Sequence, residues 1–244
     1  MLDRVTFLAT SRKSGLDATA LRTLAAWLGV RAIDERPLPA DEAGLVLTAE
    51  GVRLHVPGGG AGWWPAGLTA QRTARGLADP LVRAVAPRPG LRVLDATLGL
   101  GHDALVLARH GVHLDCLEHE AALLFYTAEG LRRHDPRASC ALTFRRADHR
   151  AWLSSLGDGA VDVVCLDPMF PDPQAPRSAT LGLLRQTALR DAVTPATLRE
   201  ASRVARERVV LRLAPGAEPP ALAGLGPARI VASQRVRVAV WDRR

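Results

Sequence analysis

Leu166-Asp167-Pro168-Met169-Phe170-Pro171 places an acid, a proline and an aromatic at the end of the apolar run Val161 to Leu166. At the end of a buried strand these residue types can hold a planar amino group on three sides. The Asp167 carboxylate and the carbonyl before or at Pro168 accept its N–H bonds, and Phe170 stacks on the attached base. Methylation of an exocyclic nucleobase amine needs such a site, so Asp167, Pro168 and Phe170 are the candidate catalytic residues. A strand followed by a proline-rich turn gives the same pattern without chemistry. A second element, upstream, separates the two readings.

Val93-Leu94-Asp95-Ala96-Thr97-Leu98-Gly99-Leu100-Gly101-His102-Asp103-Ala104 passes from strand to glycine turn to helix. Gly99 and Gly101 permit positive φ and let the backbone approach a ligand at the carboxyl ends of the strands. Gly99-x-Gly101-x-x-Ala104 also matches the dinucleotide fingerprint, so the glycines alone do not choose between a nicotinamide and S-adenosylmethionine. Asp95 ends the strand where a carboxylate can bind the ammonium of a methionyl group and where a pyrophosphate would be repelled. Glu118, seventeen residues past Gly101, can accept both ribose hydroxyls of either cofactor. Asp148 stands where an adenine amino group would be read, and also where it would cap a helix starting near Arg150. Asp167 decides for methyl transfer, because acid-Pro-x-aromatic-Pro has no role in moving a hydride.

These residues need a frame of alternating strands and helices. Strands are predicted over Leu91–Asp95, Val112–Leu117, Leu142–Arg146, Val161–Leu166 and Val209–Leu213. Helices are predicted between them over Asp103–Arg109, Glu120–Arg132, Arg150–Leu156 and Thr194–Arg206. The order requires parallel strands with right-handed crossovers. Ala228–Ala232 and Val236–Trp241, joined by a short connection, add an antiparallel pair. The expected fold is α/β: a doubly wound, mostly parallel, seven-stranded, Rossmann-like sheet. Ahead of it, residues 1–68 read as a small α+β unit, with a strand at Val5–Ala9, a helix at Asp17–Leu28 stopped by Gly29, and a hairpin of Gly44–Leu47 and Val52–Val56. Gly58 to Trp64 reads as a loop. Trp63 and Trp64 are expected to plug the junction between the units, with base stacking as the alternative. Residues 69–244 form the second unit, opened by a connecting helix over Thr69–Val85 that packs Leu77, Leu81, Val82 and Val85.

The 244 residues, 48% hydrophobic with mean hydropathy +0.04, exclude a disordered chain. No apolar stretch reaches the roughly 20 residues of a bilayer span, and no signal-like N-terminus is present, so a cytoplasmic protein is expected; a monomer is the separate expectation for its assembly. Cys116, Cys140 and Cys165 are too dispersed for a disulfide framework or a metal site and read as buried small hydrophobes. Net charge is +7 and pI about 10.7. Twelve arginines against five acids from Arg185 onward carry the whole excess. A phosphate-contacting face and an arginine-rich composition with no such role both account for it. His102, His119 and His149 read as polar surface residues, with a shared place at the cofactor rim as the alternative.

Leu94-Asp95-Ala96-Thr97-x-Gly99-x-Gly101-x-Asp103-Ala104-x-Val106-Leu107-Ala108, Leu117-Glu118 and the Asp-Pro-Met-Phe-Pro string resemble the ribosomal RNA small subunit methyltransferase J family. The likeness extends over about residues 41 to 241, including Leu45-Val46-Leu47-Thr48. It implies a class I methyltransferase fold, S-adenosylmethionine as cofactor, and transfer of its methyl group to the 2-amino group of a guanine in 16S rRNA, free or in an assembling small subunit. It further implies that His102, Asp103, Glu118, His119, Asp148, His149 and Asp167 line the cofactor; Thr97, in the same turn, is a further cofactor-binding candidate. The family usually has arginine at the position of His102 and small hydroxyl residues at those of Asp148 and His149. It also has a glycine- and base-rich stretch that is reduced here to Arg72, Arg75 and Gly76. Lysines usually follow its Phe-Pro, where this chain has Asp172 to Arg177. A non-catalytic RNA-binding or assembly protein and a nicotinamide oxidoreductase are the competing readings.

Overall fold

The computed structural model describes residues 5–11, 14–33, 37–57, 60–168, 193–222, 225, 228–233 and 236–243. Two sheets organise them. The first has the order β2-β1-β3-β4-β5, built from β1 (Phe7–Thr10), β2 (Arg31–Ile33), β3 (Gly44–Thr48), β4 (Gly51–Val56) and β5 (Gly60–Gly62). β1 pairs in parallel with both β2 and β3, while β3, β4 and β5 run antiparallel. Helix α1 (Ala18–Leu28) is capped by the Asp17 carboxylate, which accepts from the Ala20 N–H, and is closed by Gly29 in the left-handed region. It buries Leu21, Ala25 and Leu28.

The second sheet has the order β11-β12-β10-β9-β6-β7-β8, from β6 (Arg92–Asp95), β7 (His113–Glu118), β8 (Leu142–Arg146), β9 (Val161–Leu166), β10 (Ala205–Leu213), β11 (Arg229–Ala232) and β12 (Arg237–Asp242). β8, β7, β6, β9 and β10 are parallel. β12 lies antiparallel between β10 and β11. β9 is buried along its whole length, which its unbroken apolar run required, because helices cover both faces of a parallel sheet. Strand order reverses between β6 and β9, and open α/β sheets bind ligands outside the carboxyl ends at such a point.

Helices α2 (Gly67–Arg75), α3 (Pro80–Val85), α4 (His102–Ala108), α5 (Ala121–His134), α6 (Pro136–Ser139), α7 (His149–Ser155) and α8 (Pro195–Val204) complete the frame. The single connecting helix expected over Thr69–Val85 is broken. Gly76 ends α2, a 3₁₀ turn follows, and Asp79-Pro80 starts α3 with the Asp79 carboxylate accepting from the Leu81 N–H. Leu77 falls in the turn and is 74% exposed. The segment read as a loop before Trp64 contains β5, held by antiparallel pairing to β4; Gly58 and Gly59 lie outside the described residues. Strand β2 and helix α6 were not anticipated. Cys116 and Cys165 are buried as expected, but Cys140 is exposed, since it follows α6 at the surface.

Candidate active site

Backbone hydrogen bonds sew the turn after β6 to its neighbours. Ala96 N–H donates to the Cys165 carbonyl of β9 (3.0 Å) and Leu98 N–H to the Leu117 carbonyl of β7 (2.9 Å). Gly99 and Gly101 have φ of 52° and 67°, a region that side chains strain to adopt. A Cβ on Gly101 would also meet Leu131 Cδ1 at 2.6 Å, so the turn sits directly against α5. The Thr127 hydroxyl of that helix donates to the Gly99 carbonyl (2.7 Å).

Asp95, Thr97 and Asp167 form one chain of contacts. Thr97 N–H donates to Asp95 Oδ1 (3.1 Å), and Asp167 N–H donates to Thr97 Oγ1 (2.6 Å). The carboxyl ends of β6 and β9 are thereby locked together. Glu118, at the end of β7, accepts Gly99 N–H on Oε2 (3.2 Å) and Glu120 N–H on Oε1 (2.9 Å). Each of its oxygens keeps a lone pair for a further donor.

Sequence reasoning missed the cations. Arg212, near the end of β10, reaches Asp167 Oδ2 with Nη1 at 2.9 Å and lies 3.9 Å from Asp103 Oδ1. The available signal was an arginine within the apolar run Val209–Leu213. Arg72 of α2 donates from Nε and Nη2 to the two oxygens of Asp79 (3.0 and 3.2 Å) and from Nη1 to Asp103. It is buried, so this remnant of the base-rich stretch is part of the interior and does not face a phosphate.

Burial pushes Asp95 up to about 8, with Asp103 and Asp167 adding repulsion. Burial likewise raises Asp167 to about 7 against the pull of Arg212. Burial also disfavours the charge on Asp103, but Arg72 and Arg212 outweigh it and hold that carboxyl at about 2. Glu118 is raised by burial, opposed by its backbone donors.

The histidines separate. His102 Nδ1 lies 2.7 Å from Thr69 Oγ1, its ring packs 4.9 Å from that of Trp64, and burial lowers it to about 4. His149 is buried in the first turn of α7. His119 is exposed. The surface reading thus fails for His102 and His149, whose positions at helix starts turn them into the structure. Asp148 caps α7, accepting from Arg150 and Ala151 N–H, and pairs with the Arg150 guanidinium (2.6 Å), which lowers its carboxyl below the usual range. Pro168 follows Asp167 and is partly buried. Met169, Phe170 and Pro171 lie outside the described residues.

Trp64 and Trp63 also part. Trp64 is buried, donates its indole N–H to the Leu100 carbonyl (2.9 Å), and packs on His102 and His134. These partners lie on the glycine turn, α4 and α5. Trp63 is 41% exposed.

A family model described as a putative SAM-dependent methyltransferase matches residues 64–242. A ribosomal RNA small subunit methyltransferase J from Marinobacter nauticus is 35% identical over 237 residues, covering 88% of this chain and 82% of its own. One from Nitrosococcus oceani is 32% identical over 213 residues, with 81% and 83% covered. The chain belongs to the ribosomal RNA small subunit methyltransferase J family. Its fold is that of a class I methyltransferase: the crystal structure of a SAM-dependent methyltransferase from Neisseria gonorrhoeae superposes with TM-score 0.68 at 23% identity, covering 97% of this chain and 96% of that one. As a member of this family the chain is an S-adenosylmethionine-dependent enzyme. No group of three or more His, Cys, Asp or Glu side chains that could hold a metal ion occurs among the described residues, and no described helix is long and apolar enough to cross a membrane.

The residues present fit that cofactor. Among the described residues a Cβ built on Gly99 meets only the Thr97 carbonyl, at 3.9 Å, which leaves room for a ligand beside the turn. Burial raises the carboxyls of Asp95, Glu118 and Asp167. A donor with ammonium and sulfonium charges would favour their ionised forms.

Proposed function

We propose that this enzyme methylates the exocyclic 2-amino group of a guanine in 16S rRNA: its relatives are ribosomal RNA small subunit methyltransferases, and the residue pattern at Asp167 suits a nucleobase amine. S-adenosylmethionine supplies the electrophilic methyl group. In this reading Asp95 and Asp103 flank the methionyl end, Glu118 accepts the ribose hydroxyls, and Thr97, the start of α4 at His102, His119, Asp148 and His149 complete the surroundings. Asp167 is the residue that meets the substrate.

The observation that carries the reading is the state of the Asp167 carboxyl. Oδ2 is engaged by Arg212, which leaves Oδ1 to accept one N–H of the guanine amine, while the Pro168 carbonyl accepts the other. Those two bonds draw the nitrogen lone pair out of conjugation and aim it at the methyl group, so orientation supplies most of the acceleration. The amine gains positive charge as the N–C bond forms, and Asp167 Oδ1, near neutrality in its proton affinity, can take the departing proton. A stacked guanine must leave its neighbours to enter, so a loop, bulge or unassembled segment of small-subunit RNA is the substrate. The protein works as a monomer of two units, divided near residue 68, in the cytoplasm.

Mass mapping of rRNA from cells with and without the protein tests this directly. One methylguanine is expected to disappear from the small-subunit RNA, and an unchanged map would overturn the assignment. Calorimetry with S-adenosylmethionine separates the enzyme from a non-catalytic RNA-binding protein of the same fold, which would show no binding.

A further inference from the structure

Arg212 interrupts the apolar end of β10, where Val209, Val210, Leu211 and Leu213 are all buried. A charge among such neighbours needs a reason. Register supplies its address: Leu211 pairs with Leu166 of β9, so Arg212 stands beside Asp167, one residue past that pair on each strand. Alternation along β10 puts Arg212 on the face of Val210, where it lines one small cavity with Asp95, Asp103 and Asp167.

Its guanidinium lies between two acids, with Nη1 at 2.9 Å from Asp167 Oδ2 and Nη2 at 3.9 Å from Asp103 Oδ1. The two do not depend on it equally. Asp103 is already bonded by Arg72, which Asp79 holds in turn, whereas Arg212 is the cation that bonds Asp167 among the described residues. Both Arg212 and Asp167 keep 30% of their side-chain surface exposed, and an ion pair so placed adds little to stability. Holding the fold together therefore does not account for it.

Orientation of the Asp167 carboxyl does. The main-chain N–H of Asp167 is fixed on Thr97 Oγ1 (2.6 Å), and Arg212 fixes Oδ2, so Oδ1 is the oxygen left over among the described residues. The same cation opposes protonation of a carboxyl that burial and Asp103 push up to about 7. Asp95 of β6 and the Cys165 thiol of β9 also face this carboxyl, and Arg72 of α2 attracts it from farther away. We propose that Arg212 is a positioning residue for methyl transfer, which holds Oδ2 of Asp167 and so presents Oδ1 to the acceptor amine. This rests on the reading that Asp167 meets that amine. Asp103, itself held by Arg72, is the second anchor of the guanidinium. A lysine would supply the charge without the fork that spans both acids.

The test measures turnover at saturating RNA and S-adenosylmethionine between about pH 6 and 9, on a small-subunit rRNA fragment that wild type methylates. It compares wild type, Arg212→Gln, Arg212→Lys, Asp167→Ala and Asp167→Ala/Arg212→Gln, with cofactor affinity measured by calorimetry alongside. Arg212→Gln is expected to turn over about tenfold more slowly at pH 7, with the acid limb of its profile moved up by about 1 to 3 and part of the rate regained at high pH. Arg212→Lys is expected to keep the wild-type limb and to lose less. Without Asp167, Arg212→Gln is expected to cost nothing further, because its effect passes through that carboxyl. A loss equally large in the presence and absence of Asp167 would overturn the proposal, as would wild-type turnover with an unmoved limb in Arg212→Gln. Weakened cofactor affinity with wild-type turnover at saturation would overturn it too, and would make Arg212 a contact for the carboxylate of the donor. Should Arg212→Gln not fold, wild-type turnover in Arg212→Lys overturns the proposal by itself. Asp167→Ala turning over like wild type, or wild type failing to methylate any small-subunit RNA, would instead overturn the underlying reading, and the proposal with it.

Discussion

Asp103 and Asp167 flank the same guanidinium, that of Arg212, yet they are held in opposite states. Asp103 has Arg72 as well and is kept at about 2. The Asp167 carboxyl is paired directly with Arg212 only, among the described residues, feels Arg72 more weakly, and is raised by burial to about 7. The first carboxylate is charged under all ordinary conditions and its charge is already answered inside the protein. The second is close to its titration point and has an oxygen to offer. The count of partners, more than depth, separates a carboxylate that builds the site from one that can act in it.

The comparison breaks most visibly at Arg72. Arg72→Met would leave Asp79 and Asp103 buried without their cation, and a loss of about 3–5 kcal/mol in unfolding free energy is expected by urea titration. A loss within experimental error would show that Asp103 is not answered internally. Asp167→Ala should have the complementary profile. Stability is expected near wild type and turnover down by about 100-fold, with Asp167→Asn recovering part of it by restoring an acceptor. Equal turnover in all three proteins would remove Asp167 from the site.

Asp95 sharpens the distinction through pH. Its carboxyl is raised to about 8 in the fold, so the stability it contributes while protonated is fully present below about pH 4 and fades as pH climbs through 8. A cationic donor favours the ionised form. The rise in melting temperature on adding saturating S-adenosylmethionine should therefore grow between pH 6 and 8.5, and Asp95→Asn should flatten that growth. A wild-type shift that is the same at every pH would contradict the linkage. The smallest effect is expected at Asp148, where Asp148→Ala removes a helix cap worth about 1 kcal/mol. Unchanged cofactor affinity in that variant would confine Asp148 to capping, whereas weakened affinity would add the adenine contact to its role.

Legibility in the sequence followed how local each cause is. The strands Leu142–Arg146 and Val161–Leu166 and the capped helix after Asp17 were readable because apolar runs and cap residues act within a few positions. Gly60–Gly62 was not, because glycine has no strand preference of its own and β4 alone makes it a strand. The break at Gly76 and Pro80 was written in the chain, but the apolar spacing was followed across it. At the site, Asp95, Glu118 and Asp167 were legible as strand-end acids. Arg212 and Arg72 were not, since which acid an arginine meets depends on strand order. The charge excess of the last sixty residues left two readings open for the same reason: a count of arginines does not record how many are already bonded.

The joint at Trp64 has a consequence for descent. A Cβ on Gly130 would fall 2.3 Å from Trp64 Cγ, so α5 can carry no other residue there while the indole stays. A smaller side chain at 64 would in turn open a void and release the Leu100 carbonyl. Neither position can drift alone without loosening the joint between the two sheets. Across relatives these two positions are expected to be replaced together, in lineages where the N-terminal sheet has found another way to reach the glycine turn, or to stay as they are.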